Sequence, residues 1–157
     1  MPTQIHQVDA FTDQPFRGNP AAVCVLSRPA SEPWMQAVAA EMNLSETAFL
    51  HREGEIWRLR WFTPVVEVAL CGHATLAAAH VLWGTGVVAR RGDDLTFETL
   101  SGRLGARFES GRIELDFPEK RTEAAAPPAG LLESLGVGKL RLERLEWDPY
   151  IGFAALE

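Results

Sequence analysis

A chain of 157 residues fits one domain, or one domain and a fragment of a second. Its 46% hydrophobic and 23% charged residues are an ordinary globular make-up, which excludes wholesale disorder. With 15 Lys and Arg against 21 Asp and Glu, the formal net charge of −6 repels phosphate backbones and argues against nucleic acid as a general partner. Residues 4–11 and 21–26 read as strands, joined by a segment holding Pro15, Gly18, Asn19 and Pro20, the usual vocabulary of turns. Ser31 can cap a helix that has Pro33 in its first turn, and Trp34, Met35, Val38, Ala39 and Met42 continue it at helical spacing.

Two strand-like runs follow, 46–51 and 56–63; the second sets Trp57, Leu59 and Trp61 against Ile56, Arg58 and Arg60. A short run, 65–70, leads into Cys71-Gly72-His73 and a helix over 73–83 that is apolar on nearly every side. Such a helix belongs inside the fold, surrounded by sheet. Strands over 95–100, 103–109 and 112–117 are joined by Ser101-Gly102 and Ser110-Gly111, short enough for antiparallel hairpins. Residues 119–128 read as a linker, followed by a short helix (131–135) and strands at 140–145 and 150–156. The expected units are therefore 1–118 and 129–157, the second ending on a strand.

Two cysteines, Cys24 and Cys71, are too few for a disulfide framework or a four-thiolate zinc site. The amino terminus lacks the pattern of a signal peptide, and no apolar run is long enough to span a bilayer, so a soluble cytoplasmic protein with no membrane partner is expected.

Three places carry chemistry. Cys71-Gly72-His73 opens a helix, whose free amide groups and partial positive charge suit a carboxylate or enolate oxygen, and Gly72 lets a ligand approach the backbone. The plainer reading of the same residues is a strand-to-helix turn whose histidine caps or packs. Cys71, beside that helix start, reads equally as a thiol with a lowered pKa and as a buried packing thiol. Glu46 sits where a helix gives way to a strand, flanked by Leu44 and Phe49, and a carboxylate so placed can take and return a proton. Its plain alternative is one more of the chain's solvated surface acids. A metal site is not expected: His73 and His80 share a helical face, but no third ligand or His-Glu-x-x-His pattern accompanies them. Cys24, within an apolar strand, reads as a small core residue.

Six ordered blocks resemble the PhzF-like family of phenazine-biosynthesis isomerases and their epimerase relatives. They are Val8-Asp9-Ala10-Phe11-Thr12; Pro15-Phe16-x-Gly18-Asn19-Pro20-Ala21-Ala22-Val23; Glu41 to Phe49; Leu59 to Pro64; Glu67-Val68-x-Leu70-Cys71-Gly72-His73-Ala74-Thr75-Leu76-Ala77; and Phe97-x-Thr99-x-Ser101-Gly102. The resemblance implies an α+β, diaminopimelate-epimerase-like lobe, a mostly antiparallel sheet wrapped around a central apolar helix, with the active site in a cleft between two such lobes. It implies that Glu46 shuttles a proton between substrate carbons without metal or organic cofactor. His73 would line the same cleft, with Gly72, Cys71, Asn19 and Ser45 as substrate-binding positions. Cys71 matches a catalytic thiol of related racemases, which need a second thiol that Cys24 is poorly placed to supply.

The second lobe normally supplies an aspartate and a serine in a block resembling Asp-Pro-x-Thr-Gly-Ser-Ala. Asp148-Pro149-Tyr150-Ile151-Gly152-Phe153-Ala154 echoes it but lacks both hydroxyl residues. The sequence reading is thus an isomerase or epimerase acting on a small carboxylate-bearing metabolite; the alternative is a catalytically incomplete remnant or small-molecule-binding module. A homodimer is also expected, with the strands of 140–156 pairing between chains.

Overall fold

The computed structural model describes residues 3–89, 94–119, 123–124, 128–134, 145–147 and 154–156. The chain divides into two compact units, Met1–Pro118 and Glu119–Glu157. In the first, strands β1 (Ile5–Ala10), β2 (Asn19–Leu26), β3 (Glu46–Glu53), β4 (Ile56–Phe62), β5 (Glu67–Val68), β6 (Leu95–Thr99), β7 (Gly102–Glu109) and β8 (Arg112–Asp116) form one sheet. Helices α1 (Glu32–Met42) and α2 (Gly72–Gly84) complete the unit. The strand order is β1-β2-β3-β4-β6-β7-β8, with β5 beside β4. Neighbours pair antiparallel except β2·β3 and β4·β6, which are parallel, so the sheet is mixed.

Each helix takes one face. Along β3, Ala48 and Leu50 pack with α2, whereas Phe49 turns to the α1 side beside Cys24, Met35, Ala39 and Phe62; the period of two is that of a strand buried on both faces. On the α1 side Phe49 meets Trp34 and Phe62 edge to face, at centroid distances of 5.9 and 5.7 Å. Cys24 lies fully buried there, as expected of a core residue.

Helix α2 packs against β1, β2, β3 and β8, the two outermost strands among them, so the sheet curls into a half-barrel. Nine of its residues are buried. The expectation that the helix is covered on every side fails along one line: Leu76 is half-buried and His80 exposed. Strands β1 and β8 do not pair, and a cleft of about 1160 Å³ opens between them, lined by Leu76, His80, Asp9, Phe108 and Arg112 among others.

Hydrogen bonds and ion pairs tie down the loops. Arg60 on β4 reaches Glu67 at 2.6 Å and Glu32, in the first turn of α1, at 2.8 Å. The Ser101 hydroxyl donates to the Ala69 carbonyl at 2.8 Å, so the β6–β7 turn holds the segment that enters α2. Asp9 accepts the Phe16 N–H at 2.8 Å and so fixes the β1–β2 loop. Gly18 ends that loop against β1, and a Cβ there would stand 2.5 Å from the Ala10 carbonyl oxygen.

The second unit carries β9 (Glu123–Ala124), α3 (Leu131–Ser134), β10 (Leu145–Trp147) and β11 (Ala154–Leu156). The sequence expects a linker over 119–128 and strands at 140–145 and 150–156; residues 123–124 form β9, and β10, which begins at Leu145, pairs with β9 and β11. Residues 140–144 and 148–153, which carry the rest of those expectations, lie outside the described residues.

The Gly18 contact makes a sharp stability test. Gly18→Ala sets a methyl against backbone that cannot step aside, and overpacking of this kind costs about 1–3 kcal/mol. Gly84→Ala, whose added carbon would meet only His80 Nε2 at 4.0 Å, should leave the urea midpoint unchanged or slightly raised.

Candidate functional site

Helix α1 ends at its C-cap Asn43, which takes the left-handed conformation (φ 52°, ψ 35°) and turns the chain towards β3, which starts at Glu46. Parallel pairing of β2 with β3 sets Ala21 opposite Glu46, so both strands begin at the same end of the sheet. The amino terminus of α2 arrives there too. Cys71 is its N-cap residue, and the Cys71 carbonyl accepts both the Thr75 amide at 3.2 Å and the Thr75 hydroxyl at 2.6 Å.

Residues distant in sequence meet at this point. His73 Nε2 lies 3.3 Å from Glu46 Oε2 and 3.3 Å from Ser45 Oγ, while His73 Nδ1 lies 3.3 Å from Cys71 Sγ. Cys71 and His73 are buried; the Glu46 side chain keeps 20% of its exposure, enough to meet a ligand. Burial lowers the His73 pKa from its usual 6.5, against the opposing pull of the Glu46 charge and the Pro20 carbonyl. The imidazole is therefore neutral near pH 7.

Of the two readings of Cys71, the lowered pKa is wrong. Burial, reinforced by the Glu46 charge, pushes the thiol up to about 12, and the nearby amides of Ala74 and His73 only partly offset it. The carboxylate beside the thiol and the lost solvation outweigh the helix terminus. With a protonated thiol and a neutral imidazole, the chain of contacts from Cys71 through His73 to Glu46 takes a consistent proton placement. Cys71 S–H donates to His73 Nδ1, and His73 Nε2–H donates to Glu46.

Of the other sequence candidates, Gly72 is the first residue of α2. A Cβ there would meet only the Phe117 ring at 3.7 Å, an ordinary contact, so packing does not demand glycine. Asn19 is exposed at the start of β2, and among the described residues its side chain makes no hydrogen bond to the group. His80, seven residues along α2 from His73, is exposed on the separate cleft and takes no part. The search for a third ligand along that helix missed what the fold does: one donor atom each from Glu46, Cys71 and His73 falls within 4.8 Å of the others. By donor type these three could hold a metal ion. Two contributors went unread in the sequence, the Pro20 carbonyl and Thr75; a threonine four residues after an N-cap is the signal for the second.

A half-barrel of mixed sheet with a proton-bearing group at the start of a buried helix defines an epimerase-like lobe. A hydroxyproline epimerase of Agrobacterium vitis shares this fold, with a TM-score of 0.55 at 12% identity over 72% of this chain and 40% of that one. A PhzF-family phenazine biosynthesis protein of Enterococcus faecalis matches with a TM-score of 0.80 and 40% identity, over 94% of this chain and 55% of that one. An uncharacterized isomerase of Halalkalibacterium halodurans is 51% identical over 149 residues, 94% of this chain and 56% of its own length. The sequence model of the phenazine biosynthesis-like proteins, PhzC-PhzF, matches residues 8–137. The chain belongs to this PhzF-like family. It spans little more than half the length of these relatives. Among the described residues no helix is long and apolar enough to cross a membrane.

The lowered pKa of His73 has a consequence for stability. A histidine whose pKa is lower folded than unfolded costs nothing above the unfolded value of 6.5. As pH falls through 6.5 towards the folded value, the unfolded chain gains a proton that the native state refuses, and stability is lost. Glu46 and Cys71 are the titratable groups facing the ring. In urea unfolding across pH 5 to 7, about the range where histidine titrates, His73→Asn should flatten part of the acid-side decline. An unchanged slope would contradict the assignment.

Proposed function

We propose that the protein is the first lobe of a PhzF-like isomerase or epimerase in which Glu46 moves a proton between carbons of a small carboxylate-bearing substrate. The observation that carries this reading is the meeting of Glu46, His73 and Cys71 at the start of α2, with Glu46 the most exposed of the three side chains that it joins. Glu46 takes a proton from the substrate carbon and returns it at another position. The neutral His73 donates its Nε2–H to the carboxylate, or to a developing oxyanion, and so holds the acceptor in place. The open amide groups at Gly72 and His73 face the charge of a substrate carboxylate, and the absence of a side chain at Gly72 leaves room for it. Ser45 orients the ring from its other side.

In this mechanism the chain's own groups carry the proton, and no metal or organic cofactor takes part. The protonated Cys71 serves as donor to His73 and not as a nucleophile, which separates it from a two-thiol racemase; Cys24 lies on the opposite face of the sheet. The facing wall of the cleft comes from a second lobe.

Glu46→Gln should keep the fold, since a carboxamide oxygen can still accept from the side chain's neighbours His73 and Cys71. General-base removal commonly costs roughly 10²–10⁴-fold in rate. Deuterium incorporation from heavy water into a panel of small carboxylic acids, followed by mass spectrometry, should fall by that factor in a protein that includes the second lobe. Incorporation at the wild-type rate would exclude Glu46 as the shuttle.

A further inference from the structure

We propose that Cys71, His73 and Glu46 form a binding site for a thiophilic divalent cation such as Zn²⁺ or Cd²⁺, which on binding blocks the proton-transfer centre. The donor set is one sulfur, one imidazole nitrogen and one carboxylate oxygen, with all three ligand atoms within 4.8 Å of one another. Zinc bonds of about 2.0–2.3 Å in a tetrahedron place donor atoms roughly 3.3–3.8 Å apart, so side-chain adjustment of the order of 1 Å closes the site. His73 ligates an ion through one ring nitrogen only: Nε2 stands 3.3 Å from Glu46 Oε2 and Nδ1 stands 3.3 Å from Cys71 Sγ, so either choice already has one partner at ligand spacing and the third donor, within 4.8 Å, is drawn in. Three protein ligands leave a fourth position for water or a substrate oxygen.

The backbone holds two of the three donors in place before any ion arrives. Cys71 is pinned through its carbonyl to Thr75, and His73 lies in the first turn of α2. Glu46, the most exposed of the three, gives the cation its approach. On binding, the Cys71 S–H bond breaks, its proton passes to solvent, and a metal–thiolate bond takes its place. His73 binds as neutral imidazole through one ring nitrogen, with its single N–H proton on the other, and Glu46 binds as carboxylate, so no electron is transferred. Mg²⁺ and Ca²⁺, which require mostly oxygen ligands, do not suit a site containing a thiol and an imidazole.

Binding needs only the first unit. The claim that it blocks turnover rests on Glu46 being the proton shuttle. The bound cation would occupy the Glu46 lone pair that takes the substrate proton and displace the hydrogen bond from His73 to Glu46, so the site is inhibitory and does not supply chemistry.

The test is titration of the purified chain with Cd²⁺, recorded as thiolate-to-metal charge-transfer absorption, and with Zn²⁺ by calorimetry. One saturable equivalent is expected, with Zn²⁺ also protecting Cys71 from alkylation. Cys71→Ser should abolish the absorption band, and His73→Ala and Glu46→Gln should each weaken binding by at least roughly 10-fold. Cys24→Ala, on the other face of the sheet, and His80→Ala, on the separate cleft, should bind as wild type, and Mg²⁺ should give no signal. Circular dichroism melts establish that each variant is folded. Absence of saturable binding at micromolar Zn²⁺, or a band that survives Cys71→Ser and disappears in Cys24→Ala, overturns the site. In a protein with the second lobe, cation binding that leaves deuterium exchange intact refutes the inhibitory role, and loss of exchange on Glu46→Gln tests the shuttle independently of any metal.

Discussion

Burying a helix that has almost no polar face is the constraint from which the rest of the first unit follows. The 13 residues of α2 make a rod about 20 Å long, and its apolar surface has to be covered on several sides at once. A flat sheet covers one side of a helix. Covering four requires the sheet to curl until both of its outer strands, β1 and β8, reach the same helix. The cover is complete except along Leu76 and His80, and that is where the residue facing outward is polar.

Small side chains set how closely the rod approaches. Ala21 and Ala48 on the sheet and Ala74, Ala77 and Ala78 on the helix are all fully buried in one cluster. Interiors pack at crystal-like density, so larger side chains at these positions would lift the helix from the sheet. The displacement would carry His73 away from Glu46, because one belongs to the helix and the other to β3. The 3.3 Å contact at the site is therefore a product of alanines that touch no substrate. Ser101 acts in the same way from further off, by holding the Ala69 carbonyl in the segment that leads to Cys71.

Most elements of the first unit are legible in the sequence because their apolar periods are clear: two for the strands around Trp57, Leu59 and Trp61, and an all-round pattern for α2. The parallel pairing of β2 with β3 across α1 is not legible, since it depends on where the returning strand finds room. The resemblance of six blocks singles out Glu46 and His73, and the fold brings them together. Cys71 shows where local reasoning fails. Its place at a helix start argues for an acidic thiol, but the tertiary structure buries it beside a carboxylate two strands' worth of sequence away, and that effect is larger. Ligand geometry fails in the same manner: counting histidines along α2 finds a poor site, because the donors that converge belong to β3 and to the residue before the helix.

The proton arrangement at the site explains how a half-buried carboxylate and a buried histidine coexist. An imidazolium there would form an ion pair with Glu46. Burial prevents this by disfavouring the charged ring more than the Glu46 charge favours it. The neutral ring then needs an acceptor for its Nε2–H and a donor for its Nδ1, and the two groups within reach, Glu46 and a thiol held protonated, supply both. The same burial that raises the thiol thus keeps the histidine in the tautomer that faces the carboxylate. A serine at Cys71 could repeat the donation, but not the soft ligand chemistry. The identity of that residue therefore separates the two roles the site can play, an orienting hydrogen bond in proton transfer and a thiolate for a metal ion.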